Sequence, residues 1–110
     1  LTFTISDISH QNQPYILAFS DGNQPGITLP NGLIVPLNGG AILITTIFYG
    51  PAVGLTGNVG VLDSNGRATA QFNVPIPGLQ GLTLYSAFVT GDNGGNIIAV
   101  SPSYNFVIQP

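Results

Sequence analysis

The 110-residue chain has no cysteine, methionine or tryptophan, and neither lysine nor glutamate. Each absence removes a class of function. Without cysteine there is no disulfide framework and no thiolate metal site. A single histidine, His10, rules out a three-histidine zinc centre. One arginine, Arg67, cannot neutralise a track of phosphates, so nucleic acid is excluded as a partner and an anionic membrane surface is disfavoured. No lysine means no lysine–asparagine isopeptide cross-link. The longest apolar run, residues 41–49, is broken by two threonines and falls far short of the ~20 residues a spanning helix needs. The chain also offers too few strands of ~9–11 residues for a closed membrane barrel, so no membrane insertion is expected. No asparagine has serine or threonine two positions on, which excludes N-x-S/T glycosylation. The lack of methionine, even at position 1, points to a processed chain whose targeting segment has been removed.

Charge is the scarcest commodity. Four aspartates and one arginine make up 5% of the chain, where a globular domain carries ~25%. The surface is therefore built from threonine, serine, asparagine, glutamine and glycine. Such a surface repels neighbours weakly, a liability for a free monomer. Two readings follow: an extracellular domain with a neutral polar coat, or a subunit whose surface is buried against other copies.

What the chain does have is β-sheet punctuation. Fifteen glycines and nine prolines separate short segments rich in Val, Ile, Thr, Tyr and Phe. The spacing predicts strands near 1–8, 15–20, 27–29 with 33–37, 41–49, 55–62, 67–74, 82–90, 97–101 and 103–109, with no helix. Asn65-Gly66 predicts a two-residue type I′ hairpin. After it, Ala68, Ala70, Phe72 and Val74 alternate with Arg67, Thr69, Gln71 and Asn73, giving one buried and one wet face. Val74-Pro-Ile-Pro-Gly78 then ends pairing. Asp92–Asn96 predicts a second hairpin, and Asp21–Asn23 and Asn31-Gly32 mark further turns. Residues 41–49 are apolar on both faces, which as a strand demands cover on both sides or an intermolecular contact.

"LDSNGRATAQFNVP", "GLTLYSAFVTGDN" and the closing "SPSYNFVIQP" resemble bacterial immunoglobulin-like modules of secreted and cell-surface proteins, over residues 55–110. The resemblance implies a β-sandwich and an extracellular address, and no activity. As an architecture, a small sandwich with an apolar N-terminal strand is similar to donor-strand-exchanged fibre subunits.

Chemistry-bearing clusters are sparse. His10 sits in a polar stretch, and within an extended strand Asp7 and Ser9 are too near in sequence to converge on it as a triad; no G-x-S-x-G elbow exists. Asp21, Asp63 and Asp92 fall in turns, where the side chain caps the local backbone. If these turns met, they would form an oxygen-rich site for calcium, although the EF-hand spacing is absent. Tyr15, Tyr49, Tyr85 and Tyr104 all lie in predicted strands, as core or interface residues rather than as a platform for glycans. The chain thus reads as non-enzymatic and without a cofactor.

The N-terminal strand carries the functional expectation. Leu1, Phe3, Ile5 and Ile8 are its anchors. Their burial, at roughly 1.5–3 kcal/mol each, is nearly cancelled by ~1–2 kcal/mol per ordered residue. The strand therefore needs a preformed groove and a complete ladder, at home or in a neighbour. The expected whole is a single all-β, immunoglobulin-like sandwich of about seven to nine strands over residues 1–110, with 1–8 exchangeable and 9–14 a hinge. The expected function is that of a structural subunit of an extracellular filament whose partners are copies of itself. The alternative is a spacer or carbohydrate-binding module of a larger surface protein.

Overall fold

A computed structural model of the chain describes residues 2–22, 26–50, 54–73, 81, 83–92 and 94–107. Among these residues ten strands and one α-helix are formed: β1 (Thr2–Ser6), β2 (Pro14–Ser20), β3 (Ile27–Thr28), β4 (Ile34–Val35), α1 (Ala41–Phe48), β5 (Leu55–Thr56), β6 (Val59–Val61), β7 (Arg67–Phe72), β8 (Thr83–Gly91), β9 (Ile97–Val100) and β10 (Tyr104–Val107). A first sheet runs β1-β7-β5, and a second runs β10-β8-β2-β6 with β9 also on β8. All pairs are antiparallel. The two sheets face each other as an all-β sandwich of eight strands, three in one and five in the other. β3 and β4 form a separate hairpin.

Alternation decides which side chains fill the space between the sheets. Ile5, Ala70, Phe72 and Leu55 enter from the first sheet; Tyr15, Leu17, Phe19 and Leu84 enter from the second, with Leu62 beside them. Their neighbours Thr4, Thr69 and Gln71 face solvent. Phe19 lies at the centre. Its ring is 5.1 Å from Phe3, 5.0 Å from Phe72 and 5.0 Å from Phe106, in tilted or edge-on geometries. These are the offsets that the aromatic quadrupole favours. Four strands, β1, β2, β7 and β10, are joined through this cluster.

Residues 41–49 correct the sequence reading: the stretch is helix α1, not a strand. Ile and Thr have modest helix propensity, so tertiary burial decides the matter. Wound as a helix, the segment gathers Ile42, Leu43, Thr46 and Ile47 on one side and turns Ile44 and Phe48 outward. Ile42 packs against the main core, while Leu43 and Ile47 cover the outer face of the second sheet, where Leu43 joins Ala18, Leu37 and Ala87 in a second core. The strand covered on both sides is therefore β2, and α1 is part of the cover.

The helix also completes hydrogen bonding along β2. Strand β6 pairs β2 only as far as Ile16, and Asn58 O accepts from Leu17 N at 2.7 Å. One step on, Phe19 N donates to Thr46 Oγ1 at 3.1 Å. Asn58 Nδ2 donates to Thr46 O at 2.6 Å, linking both substitutes. Thr46 and Asn58 are buried, so these donors have no recourse to water.

Turn chemistry is more uniform than predicted. At Asp63–Arg67, Gly66 N donates to Asp63 O at 2.9 Å and Asp63 N to Arg67 O at 2.9 Å. Gly66 has φ +74°, whereas Asn65 keeps a negative φ, so this is a type I turn with a glycine bulge and not a type I′ turn. The Asp63 carboxylate sets the wider loop by accepting from Asn65 N at 2.8 Å and Arg67 N at 2.9 Å. Leu29–Leu33 and Asp92–Asn96 repeat the pattern, with Gly32 and Gly95 in the left-handed region. The predicted strand 55–62 is split: β5 stays in the first sheet and β6 crosses to the second. Gly57, φ +75°, stands at the crossing, where a Cβ would lie 2.8 Å from Thr69 O. The predicted break at 74–78 lies outside the described residues.

Two substitutions test this account. Phe19→Ala is expected to cost about 3–5 kcal/mol, a large part of the ~5–15 kcal/mol that holds a domain folded, measured by denaturant unfolding. Thr46→Val keeps the shape but strands the Phe19 N–H, at about 1–3 kcal/mol. A loss indistinguishable from zero for Thr46→Val would refute its role in the ladder.

Candidate functional site

Of the predicted anchors, Phe3 and Ile5 come together in the main core and Ile8 does not. Ile5 is 1% exposed, while Ile8 is 68% exposed. Leu1 lies outside the described residues. β1 pairs its own chain's β7 over five residues, from Thr2↔Gln71 to Ser6↔Arg67. Thr2 Oγ1 adds a bond to Gln71 Oε1 at 3.1 Å.

The stretch that leads into the predicted hinge, residues 9–14, begins with a turn. Ile8–His10 is a short 3-10 turn, and this turn corrects the expectation for His10. An extended strand would have kept Asp7 away, but the turn brings Asp7 Oδ2 to 2.8 Å from His10 Nδ1. The same oxygen accepts from Thr90 Oγ1 at 3.0 Å, so the joint is fastened to β8. Asp7 N donates to Gly66 O at 2.8 Å, Asn12 N to Asp63 O at 3.2 Å and Leu62 N to Gln13 O at 2.9 Å. Thr90 gives its proton to the carboxylate, not to the imidazole, so the trio lacks the nucleophile–base contact of a triad.

Among the described residues the four edges of the two facing sheets differ in how open they are. β5 has two residues and β6 three. β9 and β10 form one long edge along β8, interrupted at Ser101-Pro102-Ser103. Val89 pairs Val100 and Ser86 pairs Tyr104, so three steps along β8 match four along the edge. That extra residue and Pro102 spoil the edge as a template. β1 is five residues long, continuous, and carries no charge and no proline. It faces β10 across an apolar cleft of about 250 Å³ lined by Phe3, Ile5, Leu17, Phe88, Tyr104 and Phe106.

A second apolar feature lies on the outer face of the second sheet. Val59, Ile16, Val89 and Val100 stand side by side in register across β6, β2, β8 and β9. Val59 is 57% exposed and the other three are half-buried.

The turn aspartates do not gather. Among the described residues no three His, Cys, Asp or Glu side chains group as a metal site. Asp63 and Asp92 spend their carboxylates on their own turns. Tyr15 is buried, its hydroxyl donating to Gly57 O at 2.6 Å, and burial raises its pKa above the ordinary phenol value. Tyr85 is half-buried; Tyr49 and Tyr104 are exposed, the first just past α1 and the second on β10. No family model, curated protein or solved structure matches the chain, so the functional reading rests on this geometry.

One titration follows. The Asn96 backbone N–H at 2.9 Å, with the Asn96 amide at 3.2 Å and Gly94 N at 2.9 Å, holds Asp92 below the usual carboxylate range. A lowered folded pKa stabilises the hairpin fully above the ordinary Asp value of ~3.9, and the benefit is lost as pH falls through the lowered value. The Gly94 and Asn96 amide shifts are expected to titrate at lower pH in the folded chain than in a short peptide of residues 90–98. Coincident titrations would refute the assignment.

Proposed function

We propose that the chain is a non-enzymatic structural subunit of an extracellular filament, joined to further copies of itself through β1. The observation that carries this reading is the contrast among the edges: β1 is the one long, continuous, uncharged edge among the described strands. It pairs with one strand, β7, and its apolar side borders the open cleft. Exchange of β1 between copies would remake the same ladder and refill the same core in trans, so the strand regains in a neighbour what it gives up at home. Head-to-tail exchange does not close on itself and propagates as a filament. The Ile8–His10 turn is where the chain would open, carrying residues 2–7 across. The scarcity of charge supports the reading, because copies repel one another only weakly. The resemblance to immunoglobulin-like surface modules supports the extracellular address.

A disulfide staple tests the route. Thr4 and Thr69 are opposite each other on the solvent face of β1 and β7. Opposed strand residues lie roughly 4.5–5.5 Å apart at Cα, within the span of a disulfide. The chain has no other thiol. Sedimentation of the unmodified chain is expected to show concentration-dependent oligomers. The oxidised Thr4→Cys/Thr69→Cys variant is expected to stay monomeric until reductant is added. A chain that remains monomeric at high concentration overturns the filament and leaves a spacer module. Assembly undiminished by the oxidised staple overturns strand exchange as its route.

A further inference from the structure

We infer that Asn38 is the site at which this protein undergoes selective, spontaneous deamidation, the loop ahead of α1 being the place where it ages chemically. An asparagine followed by glycine can close on itself. The glycine backbone nitrogen, having lost its proton, attacks the asparagine Cγ, a C–N bond forms, and the side-chain amide leaves as ammonia. Water then opens the succinimide at either carbonyl to give aspartate or isoaspartate. Water is the sole co-reactant and no electron changes hands. Two conditions favour the step: a glycine N–H that is not donated elsewhere, and an asparagine side chain not held by partners.

The chain has four Asn-Gly pairs, at residues 31, 38, 65 and 93. In three of them the attacking nitrogen is already engaged. Gly32 N donates to Leu29 O at 2.9 Å and Gly66 N to Asp63 O at 2.9 Å. Gly94 N donates to Asp92 Oδ1 at 2.9 Å. Asn31 is held twice more, its Nδ2 donating to Ile97 O at 2.7 Å and its Oδ1 accepting from Leu33 N at 3.1 Å. Asn38 differs on both counts. Its Oδ1 has no hydrogen-bond partner although the atom is buried, and Gly39 N has none among the described residues. A buried amide oxygen without a donor lacks the bonds that would hold the group in place.

The surroundings give the conversion a consequence. Asn38 N donates to Gly22 O at 3.0 Å and to Ser20 Oγ at 3.2 Å, so the residue is docked on the turn that ends β2. Its Nδ2 packs so closely over Gly22 that a Cβ there would lie 2.5 Å away. Deamidation places a carboxylate in this contact, next to Asp21, and isoaspartate adds a methylene to the backbone leading into α1. Both loosen the layer that covers β2.

Mass-spectrometric peptide mapping of the chain held at mildly alkaline pH tests this. In the folded protein the Asn38 peptide is expected to convert several-fold faster than those of Asn31, Asn65 and Asn93, and the difference to vanish in urea. Gly39 is exposed and a Cβ there meets nothing within 4 Å, so Gly39→Ala is expected to slow conversion several-fold at unchanged melting temperature. Asn38→Asp is expected to lower the melting temperature. Equal rates at the four pairs in the folded state, or Asn38 lagging any of the others, would overturn the inference.

Discussion

The edge-on packing of Phe19 against Phe3, Phe72 and Phe106 is the contact on which the sandwich depends. It is the place where strands far apart in the chain, β1, β2, β7 and β10, meet. Each ring arrives on a strand whose side chains alternate between the core and the outside. Losing one ring therefore opens a hole between sheets rather than at a margin. The cluster also explains why β1 is docked: Phe3 touches Phe19 and Phe106, rings supplied by β2 and β10, while its backbone pairs with β7. The first strand is held by one sheet and packed against the other.

Much of this was legible from period and punctuation. The alternation in 67–72 and 2–6 names the buried Ile5, Ala70 and Phe72 and the half-buried Phe3, and nearly every strand lies within a few residues of its expected place. Residues 41–49 were not legible, because an unbroken apolar run fits a doubly covered strand and a buried helix equally well. What decides between them is the outer face of β2 and β8, where Ala18 and Ala87 leave room for a helix. Thr46 and Asn58 could not be found for a related reason: their value lies in where β6 stops. The pairing of Asp7 with His10 hinged on a local turn that polar composition does not reveal. The turn type at Asn65-Gly66 is not fixed by the dipeptide alone, because the Asp63 carboxylate sets the loop two residues earlier.

A sandwich without lysine must protect its edges by other means. Natural sheets place charge on their exposed strands to forbid pairing with strangers. Here the protection is geometric: very short strands at β5 and β6, and an inserted residue with Pro102 along β9 and β10. The joint at Asp7 plays a corresponding part for β1, because the bond to Thr90 across the sandwich resists its departure. Whether β1 stays or is exchanged is thus a contest between a fastened joint and an unguarded edge, with the core packing equal on either side.

The use of Asp7, Asp63 and Asp92 as internal acceptors has a wider effect on how the molecule meets its solvent. Three of the four acidic side chains are turned back onto hydrogen-bond donors of the same chain, and among the described residues Asp21 and Arg67 are the charged side chains to which the fold gives no such partner. The carboxylates keep their charge, but with four aspartates and one arginine in 110 residues the exterior carries few charges in all. Dissolved ions then have little to screen, so ordinary changes in ionic strength leave encounters between molecules nearly untouched. Salts excluded from protein surfaces act differently, favouring burial of apolar area whatever its charge. Association of such molecules is therefore expected to respond more to excluded salts than to ionic strength itself.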